Sequence, residues 1–413
     1  MLLYNLGIYL YNLAIFLAQF LNPKAKKLYT GRNNTWNILS DFQRNTIKPL
    51  VWFHCASLGE FEQARPVIER LKQERDIQIA LSFFSPSGYE VRKDYALADV
   101  VFYLPADTYG NAKKVLNQLS PDMIFLVKYE IWINLIKQIH TLKIPLFLIS
   151  ATFRPEHIYF KWYGKLFKNT LRKFKLIFTQ DESSAALLKN HHVNNVLVSN
   201  DTRYDRVYAN CLQVKKLPLI ESFVAQELVI VLGSSYPDEE RLIAHFIHEF
   251  KQYKLKVIIA PHQISASRIT QVMQLFATHN PIKYSEATIE QLVQRQILVI
   301  DNIGLLSSIY QYAHIAIIGG GFGNQGIHNT LEAATFGMPI LIGPNNHKRF
   351  PELGLLAHHG VLHTITNQEE FNQLLISLIE NTAKRNDMKQ RAKLFIQNNI
   401  GATEFIFTHL GNL

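Results

Sequence analysis

"LVWFHCASLGEFEQARPVIERL", Leu50 to Leu71, changes character halfway along. It begins as an apolar run broken only by His54, passes through Ala-Ser-Leu-Gly, and continues with apolar residues at helical spacing. A nearly continuous apolar run is what a strand covered on both faces of a parallel sheet requires. A strand handing over directly to a helix opens a βαβ unit. The loop between them lies at the strand's carboxyl end, where open α/β sheets hold their ligands.

The same alternation extends in both directions. "IQIALSFF", "VVFYLP", "MIFLV", "IPLFLIS", "KLIFTQ" and "NVLVS" read as further strands, with helical segments such as Phe61–Arg75 and Asn111–Leu119 between them. After the polar, proline-containing "LQVKKLPLIES" the rhythm restarts with "ELVIVLG", "LKVIIAP", "QILVID", "HIAIIGG" and "MPILIGP". Two such series predict an α/β protein with two doubly wound, Rossmann-like domains facing a cleft. The domains are placed at 23–212 and 226–413 with a linker at 213–225. The closing "MKQRAKLFIQNNI" reads as a helix that can pack back on the first domain. A chain of 413 residues, 48% hydrophobic, is ample for two such cores.

Charge divides the chain unequally. Through Asn210 there are 27 Lys and Arg against 17 Asp and Glu, and from Cys211 on there are 16 against 16. An electropositive first half faces an anionic partner: nucleic acid, anionic lipid or a phosphorylated substrate. "LLYNLGIYLYNLAIFLAQFL", Leu2 to Leu21, is a 20-residue stretch without a charge, and Lys24, Lys26, Lys27 and Arg32 follow it. It is long enough to reach across a bilayer, while Asn5, Asn12 and Gln19, seven apart, form one narrow polar stripe. Residues 1–22 are therefore expected to be a membrane-associated helix with its basic flank on the cytoplasmic side, either spanning or lying flat. A basic chain whose charge adjoins an apolar segment fits lipid, and no nucleic-acid partner is expected. Two cysteines, Cys55 and Cys211, are too few for a disulfide framework.

Chemistry is sought in the loops after the strands. Ser57 and Glu60 fit the S-x-x-E capping box, yet Gly59 leaves room beside the carboxylate, so Glu60 is either a cap or a proton acceptor. Glu130 in "VKYEIWINL" and Arg203 in "SNDTRYDRV" occupy two further loops. In the second half "AHIAIIGGGFGNQGIHNTLEAATFGMPILIGP" is strand, glycine-rich loop, helix, strand. Gly319, Gly320, Gly321, Gly323 and Gly326 are expected to bring backbone close to a phosphate at a helix start. Gly321, Gly323 and Gly326 match G-x-G-x-x-G, but the next strand ends in Gly343, Pro344, Asn345 and Asn346 with no carboxylate for a ribose, which argues against a nicotinamide enzyme. Asn329 and Glu332, three apart at the helix start, suit a ribose instead; Glu332 otherwise serves the helix dipole. Ser234 and Ser235 in "GSSYPDEE" and His262 in "APHQ" complete the candidate contacts. No H-E-x-x-H, C-x-x-C pair, Walker loop, G-x-S-x-G or D-x-D occurs, and neither a metal nor another cofactor is expected.

These motifs together resemble the 3-deoxy-D-manno-octulosonic acid (Kdo) transferases of lipopolysaccharide synthesis, which have the glycosyltransferase B-type fold. The resemblance runs from "GRNNTW" through "ASLGEFEQARPVI", "SPSGYE", "YLPADTYGNAKKVL", "EIWINL" and "DNIGLL" to G-x-H-N-x-L-E-A, Gly326 to Ala333 with His328. It implies an inverting, metal-independent transfer of Kdo from CMP-Kdo to the lipid A precursor at the cytoplasmic face of the inner membrane. Glu60 would be the general base and Glu130 would assist at the transition state. CMP would lie against Pro261 and His262, against Ile303, Gly304 and Leu305, and across Asn329 to Glu332. Arg203 stands where many members have lysine, the arginine of the family's P-R-H is missing beside His262, and Thr330 replaces a proline. The rival readings are a UDP-sugar transferase of the same fold and a non-catalytic membrane-bound module that binds sugar nucleotides.

Overall fold

The computed structural model describes residues 1–345 and 350–411. The chain divides into two compact units, Met1–Arg206 with Ile400–Leu413, and Val207–Asn399. The first unit is built on β1 (Leu50–Cys55), β2 (Gln78–Phe83), β3 (Val100–Tyr103), β4 (Met123–Val127), β5 (Leu146–Ala151), β6 (Leu176–Thr179) and β7 (Val196–Val198). They form one sheet in the order β3-β2-β1-β4-β5-β6-β7, and the pairings are parallel, with Val51 opposite Met123 and Cys55 opposite Phe83. The second unit has β8 (Leu228–Ser235), β9 (Leu255–Pro261), β10 (Ile282–Lys283), β11 (Ile297–Val299), β12 (Ile315–Ile318), β13 (Ile340–Ile342) and β14 (Leu362–Thr364). Its order is β10-β11-β9-β8-β12-β13-β14.

The two series expected from the apolar runs are present. Only β10 and β14 escape the sequence, because Ile-Lys and Leu-His-Thr present no apolar run, unlike the three-residue β7, β11 and β13. Every residue of β1, β2, β4 and β5 is buried, as helices on both faces require. Each such Val, Leu, Ile or Phe contributes about 1.5–3 kcal/mol relative to exposure. In both sheets the chain reverses its direction of growth beside the first strand, between β1 and β4 and between β8 and β12. That is the switch point at which ligands sit.

The stretch 213–225, read as a linker, holds the helix Pro218–Val224, whose Ile220 and Phe223 are fully buried. The closing helix, Thr382–Asn399, breaks at Gly401, where φ is +102°, before the short helix Ala402–Thr408.

The N-terminus also departs from expectation. Its helix covers Leu2–Ala18 and stops; Asn22 then caps a second helix, Pro23–Asp41, by accepting the Lys24 N–H at 2.8 Å. The two axes meet at 119°, and among the described residues no single helix is long and apolar enough to cross a membrane. The first helix is turned inside out. Two of the three stripe residues face protein: Asn5 accepts from the Asn134 amide at 2.9 Å and Asn12 accepts from Arg32 at 3.3 Å, while the Tyr4 hydroxyl donates to Asp107 at 2.5 Å. Leu2, Leu3, Leu6, Leu10, Leu13 and Leu17 are all more than half exposed.

Candidate active site

β1 delivers Ala56 and Ser57 to the helix Leu58–Glu74, with Glu60 in its first turn. Ser57 stands at the N-cap, but its hydroxyl makes no cap bond. It donates to Glu60 Oε2 at 2.9 Å instead, so the reciprocal capping box is not formed. Glu60 is buried at 6% exposure. Burial pushes its carboxyl above the ordinary range and the charge of Glu130 pushes it further, while the Ser57 hydroxyl, Lys128 and the Ser57 amide pull against this. A cap carboxylate on an open helix end would show no such rise.

Glu130 reaches the same place from β4, the strand hydrogen-bonded beside β1. Its Oε2 lies 3.7 Å from His54 Nε2. His54 is fully buried and was not singled out from the sequence, although a histidine inside an apolar parallel strand must find partners. They are Ser82, its register partner on β2, at 2.9 Å from Nδ1, and Trp132, whose indole N–H lies 3.2 Å from Nε2. An indole N–H only donates, so Nε2 accepts and the imidazole proton sits on Nδ1 facing the Ser82 oxygen. Lys128, also unforeseen, takes φ +61° at the end of β4, a left-handed conformation costly for a side-chain-bearing residue. Its charge pulls against the rise at Glu60.

Arg203 is placed differently from the sequence reading. Its Nε donates to Asp201 Oδ2 at 2.9 Å and its backbone N–H to Oδ1 at 2.9 Å. Asp201 is buried, and Gln63 of the Glu60 helix donates to it at 3.1 and 3.2 Å. Burial alone would raise the Asp201 carboxyl, but the Arg203 guanidinium holds it below the ordinary range. Asp205 accepts the Gly401 and Thr403 N–H groups, both at 2.6 Å, and so caps the C-terminal helix. This loop ties elements together.

In the second unit the neighbouring strands β9, β8 and β12 end in His262, Tyr236 and the glycine loop that carries His328. The strand order brings the three rings together: Tyr236 stacks on His262 at 5.2 Å and on His328 at 5.7 Å, and the imidazoles are 4.3 Å apart. Burial, with the neighbouring His262 adding to it, pushes His328 down to about 4, and burial lowers His262 as well. Both imidazoles are neutral at pH 7 and form a flat, uncharged platform. Tyr236 was not predicted; its signal is an aromatic at an N-cap position that usually carries Ser, Thr, Asn or Asp.

The glycines serve the loop before any ligand. A Cβ on Gly319 would lie 2.1 Å from the Ser234 carbonyl oxygen, and one on Gly321 would lie 2.5 Å from the Gly343 nitrogen. The Gly320 N–H donates to buried Glu239 at 2.9 Å. Ser235 donates to Glu240 at 2.7 Å, while Ser234 takes φ +50°. Pro261 ends β9 buried, Ile303 is 86% exposed, and Gly304 turns the chain at φ +87° before Leu305. Asn329 caps the helix Thr330–Phe336 through the Leu331 N–H at 3.1 Å and donates to Glu332 at 3.0 Å, pairing the two residues expected to meet a ribose. Gly326 takes φ +94°, close to the Phe350 ring. Asn346 lies outside the described residues. Among the described residues no group of three His, Cys, Asp or Glu is placed to hold a metal ion.

Gly320→Ala is expected to destabilise the second unit by at least about 2 kcal/mol, because φ +92° is unfavourable for alanine and the new Cβ would meet the Gly326 oxygen at 2.2 Å. Denaturant unfolding followed by circular dichroism checks this.

Solved structures share this architecture. The UDP-GlcNAc 2-epimerase from Neisseria meningitidis bound to UDP-GlcNAc superposes with a TM-score of 0.60 at 16% identity, over 87% of this chain and 98% of that one. MurG from Acinetobacter baumannii gives 0.54 at 15% identity, again over 87% and 98%. Two parallel seven-stranded sheets with these neighbours define the B-type glycosyltransferase fold. Residues 32–206 match the family described as "3-Deoxy-D-manno-octulosonic-acid transferase (kdotransferase)". The 3-deoxy-D-manno-octulosonic acid transferase of Aquifex aeolicus is 28% identical over 336 residues, 80% of this chain and 86% of its own. That of Chlamydia muridarum is 25% identical over 416 residues, 93% and 92%. The chain is a glycosyltransferase. More closely, residues 32–206 match the Kdo-transferase family model, in a chain similar to Kdo transferases over most of its length.

Proposed function

We propose that this enzyme moves Kdo from CMP-Kdo to a hydroxyl of the lipid A precursor, inverting the anomeric carbon and releasing CMP without a metal ion. The observation that carries this reading is Glu60, a carboxylate buried at the switch point with its proton affinity raised. A general base is most effective when its pKa approaches the working pH. Glu60 takes the hydroxyl proton, the freed oxygen bonds to the anomeric carbon, and the bond to the CMP phosphate breaks with its electron pair leaving on CMP. Glu130, held beside His54 and Trp132, faces the positive charge that builds on the sugar ring. Lys128 acts on Glu60, whereas Arg203 supports the scaffold through Asp201.

The donor base rests on the neutral platform of Tyr236, His262 and His328, and Asn329 with Glu332 takes the ribose hydroxyls. The exposed leucines of the helix Leu2–Ala18, beside a basic first half, support attachment to the cytoplasmic face of the inner membrane. The test is mass spectrometry of the lipid after incubation with CMP-Kdo and a tetra-acylated lipid A precursor in EDTA. A gain of one or more Kdo units is the expected result. No gain from protein that CMP still stabilises against heat would overturn the assignment of acceptor and reaction together.

A further inference from the structure

The two N-terminal helices and the loop after β3 enclose a cavity of about 190 Å³ lined by Asn12, Tyr29, Arg32, Asn33, Trp36 and Asn111. On the same measure one water needs on the order of 10–15 Å³. Arg32 is its only charged wall residue. The guanidinium donates to Asn12 Oδ1 at 3.3 Å and lies 4.8 Å over the Phe84 ring, but its buried Nε has no partner. Among the described residues no carboxylate forms an ion pair with it. Burial pushes Arg32 down to about 10, with only the Tyr11 and Tyr103 hydroxyls acting the other way. A second cation stands close by, since Lys114 Nζ lies 4.1 Å over the ring of Trp36.

A shielded guanidinium without a counter-ion is costly, and stacking on an aromatic ring offsets only part of the cost. A planar fork of donors beside roomy, amide-lined space is the chemistry that takes a phosphate. The source of that phosphate follows from the first helix, Leu2–Ala18, which lends Asn12 to the cavity. Its Leu13 and Leu17 are 52% and 58% exposed, and Lys24, Lys26 and Lys27 follow at the bend. We propose that this cavity binds the phosphate of an anionic lipid headgroup at the membrane surface, a site separate from the two switch-point loops. The proposal rests on the membrane attachment inferred above.

Co-sedimentation of the full-length protein with phosphatidylcholine vesicles, with and without phosphatidic acid, tests it. Wild type is expected to prefer the phosphatidic acid vesicles, and Arg32→Gln to reduce that preference about tenfold while leaving binding to phosphatidylcholine alone unchanged. Arg32→Lys, which keeps the charge without the fork, falls between them. Lys114→Gln is an exposed change that leaves packing intact, and it lowers the preference by a smaller factor, so the result does not hang on one variant folding. A preference unchanged in both glutamine variants overturns the proposal while leaving membrane attachment standing. Wild type that binds neither vesicle overturns both. Thermal stabilisation by inorganic phosphate through Arg32, without any preference for phosphatidic acid, overturns the lipid as its source.

Discussion

Glu60→Gln is expected to cut transfer a hundred- to ten-thousand-fold, the range typical for loss of a positioned general base. The protein should meanwhile be at least as stable as wild type at neutral pH. The amide is nearly isosteric and its oxygen still accepts from the Ser57 hydroxyl, so the local bond survives. Stability moves the other way from activity because the folded-state pKa of Glu60 is raised. The stabilisation of such a group is present below its unfolded pKa and is lost as pH rises through the folded value. Glutamine does not titrate and escapes that loss. A product assay by mass spectrometry and urea unfolding at pH 8 check the two halves together. The acid limb of the wild-type rate profile should lie above the ordinary glutamate range of about 4.3, since only ionised Glu60 accepts a proton. An inactive variant that has also unfolded would return Glu60 to a purely structural role.

Arg203→Gln carries the second large effect, and it falls on stability. Asp201 is buried at 5% exposure and Arg203 partly so at 27%, so removing Arg203 leaves a buried charge without its cation, at a cost approaching the roughly 3–5 kcal/mol of a fully buried pair. Asp201 is the charge left behind, held among the described residues by Gln63 and the backbone N–H of residue 203. Its folded pKa is lowered, so its contribution exists above the unfolded value and disappears as pH falls through the folded one. Wild type therefore loses this stabilisation only in acid, whereas the variant lacks it at neutral pH. All four tryptophans, Trp36, Trp52, Trp132 and Trp162, belong to the first unit, so their fluorescence in urea reports that unit alone. Arg203→Lys should recover part of the loss, short of what the planar fork holds. A fall in activity with unchanged stability would place Arg203 against substrate instead.

The sequence carries most of the fold because a two-sided parallel sheet writes each strand as an apolar run and each crossover as an amphipathic segment. Twelve strands were legible this way; β10 and β14, Ile-Lys and Leu-His-Thr, carry no apolar run to show it. The loops holding Glu60, Glu130, His262 and Glu332 were legible too, because they directly follow strands. What the sequence hides is pairing across it. That His54 would meet Ser82 and Trp132, or that Arg203 would pair with Asp201, depends on strand register and on where the helices pack. The sequence likewise does not show that Gly319 and Gly321 make room for other backbone. The charge-free N-terminus predicted a helix but not its end at Ala18, nor that its asparagines would face inward.

That inward face means the N-terminal segment is no interchangeable anchor. The Tyr4 hydroxyl donates to Asp107, whose carboxylate accepts the N–H groups of Asn134 and Leu135 at 2.9 and 2.8 Å and so caps the helix starting at Ile133, three residues after Glu130. Trimming the first 21 residues to gain solubility, or grafting on a foreign hydrophobic leader, would strip Tyr4 and Asn5 from that support and loosen the loop that carries Glu130. Soluble versions of this enzyme are better sought by replacing the outward leucines and keeping the inward residues.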